Sequence, residues 1–231
     1  MLKKLLVAST VCLIAASQSS AALIISQYYE GASTNKWIEL FNSGPGAFDL
    51  STVQIGLWTN ANAEGYKSNT APSQSLVLSG SLASGSTFLL GNTGNTANLG
   101  VFTNPPTFNL NSNSVINFNG NDSVAIYNAG AFSTASLIDA VGFTNAGNQG
   151  QDRSFVRSSF SPGFNTTAGS NITDFPSVWS LVSLATANGA AVGTDNFLGF
   201  AAIPEPTSLA LGLMGGCTVL LAASRRRKAK S

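Results

Sequence analysis

The sequence predicts an all-β fold, and three features carry that prediction. Short runs rich in β-branched and aromatic residues recur through the middle of the chain, each bounded by Gly, Asn, Ser or Pro. Apolar residues alternate within them, as at Val53, Ile55 and Leu57 and again at Val124 and Ile126, which is the period of a half-buried strand. No amphipathic helix of convincing length lies between the two ends of the chain. Strands this short and this regularly punctuated build a sandwich or a barrel.

Taken in chain order, the N-terminus comes first. Lys3 and Lys4 precede an apolar run, Leu5–Ala16, that is too short to cross a bilayer comfortably. Small residues follow, with Ser19-x-Ala21 or Ser20-x-Ala22 fitting a cleavage site, so residues 1–22 read as a signal peptide for signal peptidase. Strands are expected at Leu23–Tyr29, Lys36–Asn42, Val53–Trp58, Ser75–Leu78, Thr87–Leu90, Ser114–Phe118, Ser123–Tyr127, Leu137–Phe143 and Ser154–Arg157. Asn42–Gly46, Asn119–Asp122, Asn128–Gly130 and Ser161–Gly163 supply turn chemistry between them. The Asn-rich tract Asn92–Asn113 reads as a long polar loop.

The C-terminus has three parts. Pro204, Glu205 and Pro206 come first, then an uncharged apolar run over 207–224, then a basic tail over 225–231 opened by Arg225, Arg226, Arg227 and Lys228. At ~1.5 Å per helical residue the apolar run approaches the hydrocarbon thickness of a bilayer. Basic residues at both ends favour the cytoplasmic side, which places the middle of the chain outside. This order of parts resembles the PEP-CTERM sorting signal. The resemblance implies recognition by an exosortase-type membrane protease, transient anchoring in the inner membrane, and delivery to the cell surface or the extracellular space. Two prolines keep the backbone extended there, which suits a protease cleft.

Composition excludes several functions. Charged residues are 9% of the chain and hydrophobic residues 44%, with 14 Phe, so a core can form beneath a surface of amides and hydroxyls. Between Leu23 and Ala202 the bases are Lys36, Lys67, Arg153 and Arg157, against nine acids, leaving that part about five negative. A basic stripe for a phosphate backbone is absent, and nucleic acid is excluded as a partner. Cys12 and Cys217 both lie in the apolar end segments, so the domain between them has no thiol and no disulfide. Without any His, Ser-His-Asp hydrolysis and imidazole metal sites are excluded.

The residues Ile24–Gly31, Asn35–Asn42 and Phe48–Ser51, with the strand Trp37-Ile-Glu-Leu-Phe41 at their centre, resemble the opening of lamin-tail domains. Asn121–Tyr127 and Leu137–Phe143 are similar to that family's closing strands. The resemblance spans residues 23–143 and implies an immunoglobulin-like β-sandwich with no shared catalytic machinery. The domain is placed at 23–200, with residues beyond 143 as a C-terminal extension, followed by the sorting signal at 203–231.

Function is read accordingly. The leading expectation is a non-enzymatic exported surface or matrix protein, an adhesion or interaction module with no cofactor and no metal. The second is a carbohydrate-binding module of an exopolysaccharide matrix, with Trp58 and Tyr66, and also Tyr28 and Tyr29, as stacking residues if exposed. Trp37 and Trp179 are assigned to the core. The third is a carboxylate-dependent glycosidase using two of Glu30, Glu39, Asp139 and Asp152, although no spacing singles out an acid and a base. Glu39 reads first as a structural carboxylate bonded to loop amides. Asn119, Asn121 and Asp122 read as a plain turn ahead of a calcium loop, since no calcium-loop spacing is present.

Overall fold

The computed structural model describes residues 23–94, 107–143, 149–157 and 179–185. Within them twelve strands run in chain order: β1 (Leu23–Glu30), β2 (Lys36–Asn42), β3 (Phe48–Asp49), β4 (Val53–Trp58), β5 (Gln74–Val77), β6 (Ser81–Leu82), β7 (Thr87–Gly91), β8 (Leu110–Asn111), β9 (Ser123–Asn128), β10 (Leu137–Val141), β11 (Arg153–Arg157) and β12 (Trp179–Val182). One sheet has the order β12-β11-β1-β2-β7-β8, a second β10-β9-β4-β5, and β3 pairs with β6 as a short ribbon. All of the described pairings are antiparallel except β7 with β8. The expected all-β sandwich is the architecture found.

Apolar residues of both sheets meet in one core. Ile25, Tyr28, Ile38, Leu40 and Leu90 come from the larger sheet, and Val53, Ile55, Leu57, Val124, Ile126 and Val141 from the smaller. Strict alternation would put Leu23, Ile25 and Gln27 on one face of β1. A bulge between Ile25 and Gln27 resets the period, so Tyr28 faces the core and Gln27 does not. The other face of the large sheet is covered as well. Tyr29 stacks on Trp37 with ring centres 4.2 Å apart, and Leu89 joins them. Every residue of β1 and β2 is buried in consequence.

One expected strand is corrected. Residues 114–118 form a loop, although Val115, Ile116 and Phe118 are fully buried in the core. The side-chain amide of Asn92 donates to the Ile116 carbonyl at 2.7 Å, a hydrogen bond that a ladder would otherwise make. Four strands arise that were not expected, β3, β6, β8 and β12. Among the described residues no helix is long and apolar enough to cross a membrane, and the expected span at 207–224 lies outside them.

Candidate functional site

The end of β1, the exit of β4, the turn before β9 and the loop before β11 converge at one end of the sandwich. Antiparallel register brings them there: Glu30 lies opposite Arg153, and Trp58 opposite Ser123. They line an open cavity of about 290 Å³ formed by Glu30, Asn60, Asn119, Gly120, Asn121 and Gln151. Asp122 ties its walls together. Its Oδ1 accepts from the Asn60 amide nitrogen at 2.8 Å and its Oδ2 from that of Asn119 at 2.6 Å. The turn itself closes with Asp122 N donating to Asn119 O, and Gly150 N donates to Gly120 O across to the next loop. Gly120 is required by this approach, because a Cβ there would lie 2.2 Å from Gln151 N. Asn60 holds a left-handed backbone at φ 50°, as does Asp152 at φ 53° beside the cavity.

Glu30 is the charged residue that lines the cavity itself, 4% exposed. Its Oε1 accepts from Lys36 Nζ at 2.8 Å, a pair that register places directly across β1 and β2. Its Oε2 makes no hydrogen bond. Burial raises the Glu30 carboxyl above its usual range; Lys36 opposes the rise, and the charges of Asp152 and Asp122 add to it. Asp122 is raised by burial as well, against its two main-chain donors and Lys36. Tyr28 is held well above the ordinary phenol value, first by burial and then by the charges of Glu30 and Asp122. Its hydroxyl neighbours Glu30 yet meets hydrogen-bond geometry with no partner. Side-chain amides and one carboxylate offer oxygen acceptors and N–H donors, the chemistry for holding hydroxyl groups or a hard cation.

The sequence-nominated residues are dispersed. Trp58 and Tyr66 are 0% and 1% exposed, inside a second aromatic cluster with Tyr127 and Phe132. Trp58 Nε1 donates to Thr70 O at 2.8 Å, and its ring meets Tyr66 and Phe132 edge-on. The exposure that a stacking role requires is therefore not met at either ring, nor at Tyr28, which packs in the core against Phe118 and Phe143, nor at Tyr29, which stacks on Trp37. Trp37 and Trp179 are buried as expected. Glu39 is fully buried, and Ser26 Oγ on the neighbouring strand donates to its Oε1 at 2.6 Å. Asp139 is an ion-pair partner of Arg157 in the core. Of the four nominated carboxylates, Glu30 and Asp152 come near each other at the cavity. Asn119 to Asp122 form the expected turn, and among the described residues no three His, Cys, Asp or Glu side chains converge on a metal position. Asn60 and Gln151 escaped the sequence reading because nothing local marks them. Pro204, Glu205, Pro206, Arg225, Arg226, Arg227 and Lys228 lie outside the described residues.

The family model described as Lamin Tail Domain matches residues 16–145. No curated protein matches the chain. Among solved structures, a DUF4876 family protein from Bacteroides thetaiotaomicron VPI-5482 superposes with a TM-score of 0.43 at 10% identity, over 72% of this chain and 69% of that one.

Proposed function

Since the chain belongs to the lamin tail domain family, we propose that it is a non-enzymatic β-sandwich module exported to the cell surface or the extracellular matrix, where it serves adhesion or interaction. The order of the C-terminal parts carries this reading: Pro204-Glu205-Pro206, then the apolar run 207–224, then Arg225–Lys228. An exosortase-type protease would act next to the two prolines after signal peptidase has removed residues 1–22. A domain without thiols depends on its core and its sheet hydrogen bonds, and the sandwich here has both. Exopolysaccharide remains a partner of the matrix reading, but contact through Trp58 or Tyr66 has no support from two rings buried in the fold. The exposed large hydrophobics of the described residues are Val77 and Leu181, and neither is aromatic.

Intact mass of the protein recovered outside the cell tests the proposal. A species that begins near Ala22 and ends near Pro206 is expected. A product that keeps Arg225–Ser231, or a full-length chain found in the cytosol, rejects it.

A further inference from the structure

We propose that the cavity between the β1 end and the turn before β9 is a calcium site, with Glu30 as its charged ligand and the amide oxygens of Asn60, Asn119, Asn121 and Gln151 around it. Two independent observations point there. The first is the wall chemistry: five of the six lining residues carry a side-chain oxygen, and none is a soft ligand. Hard divalent cations take six to eight oxygens, from carboxylates, amides, carbonyls and water. The second is the orphaned oxygen. Glu30 lines the cavity at 4% exposure, and its Oε2 meets hydrogen-bond geometry with no partner, the Tyr28 hydroxyl being the donor-type group beside it. A buried carboxylate oxygen left unpartnered is costly, and a bound cation removes the cost.

Charge and volume fit the same occupant. Glu30, Asp122 and Asp152 gather here against Lys36 and the cross-strand Arg153, leaving one negative charge in excess. About 290 Å³ leaves room for an ion together with several waters, each taking about 30 Å³. Asn121 Nδ2 and Asn60 Oδ1 meet at 3.4 Å, a weak contact. Rotating a carboxamide exchanges nitrogen for oxygen without breaking a covalent bond, so both residues can present oxygen to an ion. Because Asp122 spends its two oxygens on main-chain donors, it holds the walls in place rather than binding. One charged ligand among neutral amides sets a weak site, with an affinity of about 10⁻⁴–10⁻³ M as in extracellular calcium modules. The site stands on this geometry alone and is independent of the sorting signal.

The test uses the full-length chain in detergent, stripped with a chelator and titrated with calcium chloride, while thermal unfolding and terbium luminescence are followed. Tyr28 lies close enough to Glu30 to sensitise a bound lanthanide, so terbium emission that calcium displaces is expected, together with a rise in Tm. Glu30→Gln should weaken calcium binding by about tenfold or more, and Asn121→Ala, a change at a half-buried surface position, by several-fold. No emission and no Tm shift in the wild type would overturn the site, and would mean that Glu30 Oε2 is satisfied by the Tyr28 hydroxyl instead. Binding that persists unchanged in both variants also overturns it, since the ion then sits elsewhere. If Glu30→Gln does not fold, Asn121→Ala combined with Asn119→Ala decides: unaltered affinity there rejects the proposal.

Discussion

Arg157 is 1% exposed, and its guanidinium does three things at once. It pairs with Asp139 Oδ2, its Nε donates to the Ile25 carbonyl at 2.6 Å, and its Cζ lies 4.3 Å from the Trp179 ring centre. Asp139 Oδ2 in turn accepts from Ile25 N at 2.8 Å. Ile25 sits at the β1 bulge, before the stretch in which β1 pairs with β11, so both its main-chain groups on that side need partners. The ion pair is therefore a replacement for missing ladder bonds, and it ties β10 of one sheet to β11 of the other. Burial pulls the Arg157 pKa down and Asp139 restores part of it. Removing one partner leaves the other as a lone buried charge, so Arg157→Met should cost about 3–5 kcal/mol in urea unfolding. The double variant Arg157→Met, Asp139→Leu should recover only part of that. It has no stranded charge, but it orphans the N–H and C=O of Ile25, at about 1–3 kcal/mol for each buried group. A double variant as stable as the wild type would show that the pair does not serve the main chain.

At the scale of elements, the cavity depends on two loops held in contact through Gly120. A methyl group at that position meets the Gln151 backbone rather than a flexible side chain, so the loops must separate. Gly120→Ala should lower stability by about 1–3 kcal/mol, and the Gly150 amide, which donates to Gly120 O, should lose hydrogen-exchange protection while the β4–β9 ladder keeps its own. Equal protection at Gly150 in both proteins would count against the clamp. Strands with a clear period were legible from sequence: Lys36–Asn42 and Val53–Trp58 end where expected. The two-residue strands β3, β6 and β8 have no period to read, since two positions cannot alternate. Val115, Ile116 and Phe118 misled in the opposite way, being as apolar as a strand while plugging the core from a loop. For the site, the turn chemistry of Asn119–Asp122 and the carboxylate of Glu30 were visible. Asn60 and Gln151 join them only through long-range register, which no local pattern encodes. Trp58 and Tyr66 look like any exposed aromatic pair until the packing of β9 and Phe132 against them is known.

For the molecule as a whole, the charged end of the sandwich sets an unusual dependence on pH. Most domains lose stability in acid because paired carboxylates have lowered pKa values. Here Glu30 and Asp122 are both raised, above ordinary values of 4.5 and 3.8, with burial as the first cause in each. A carboxyl whose folded pKa exceeds its unfolded value costs the fold most when ionised. As pH falls through the folded value, the native state takes up a proton that the unfolded chain does not yet hold, and stability rises. The gain is complete once pH drops below the unfolded value. Asp49 acts in the other direction, since its bonds from the Ser51 hydroxyl and amide lower it, but it is fully exposed and titrates below the window in question. Calcium-free protein should therefore gain Tm from these two groups as pH falls towards the ordinary carboxyl values, and Glu30→Gln should flatten that slope because it removes one of the two titrating groups. Calcium reverses the trend. The ion binds the ionised carboxylate, so its stabilisation is largest at pH 7 and fades as protons compete for Glu30. Calorimetry at pH 5, 6 and 7, each with chelator and with calcium, separates the two linked equilibria. A wild-type Tm that falls steadily from pH 7 to pH 5 in chelator would show that the buried carboxylates are already compensated within the fold.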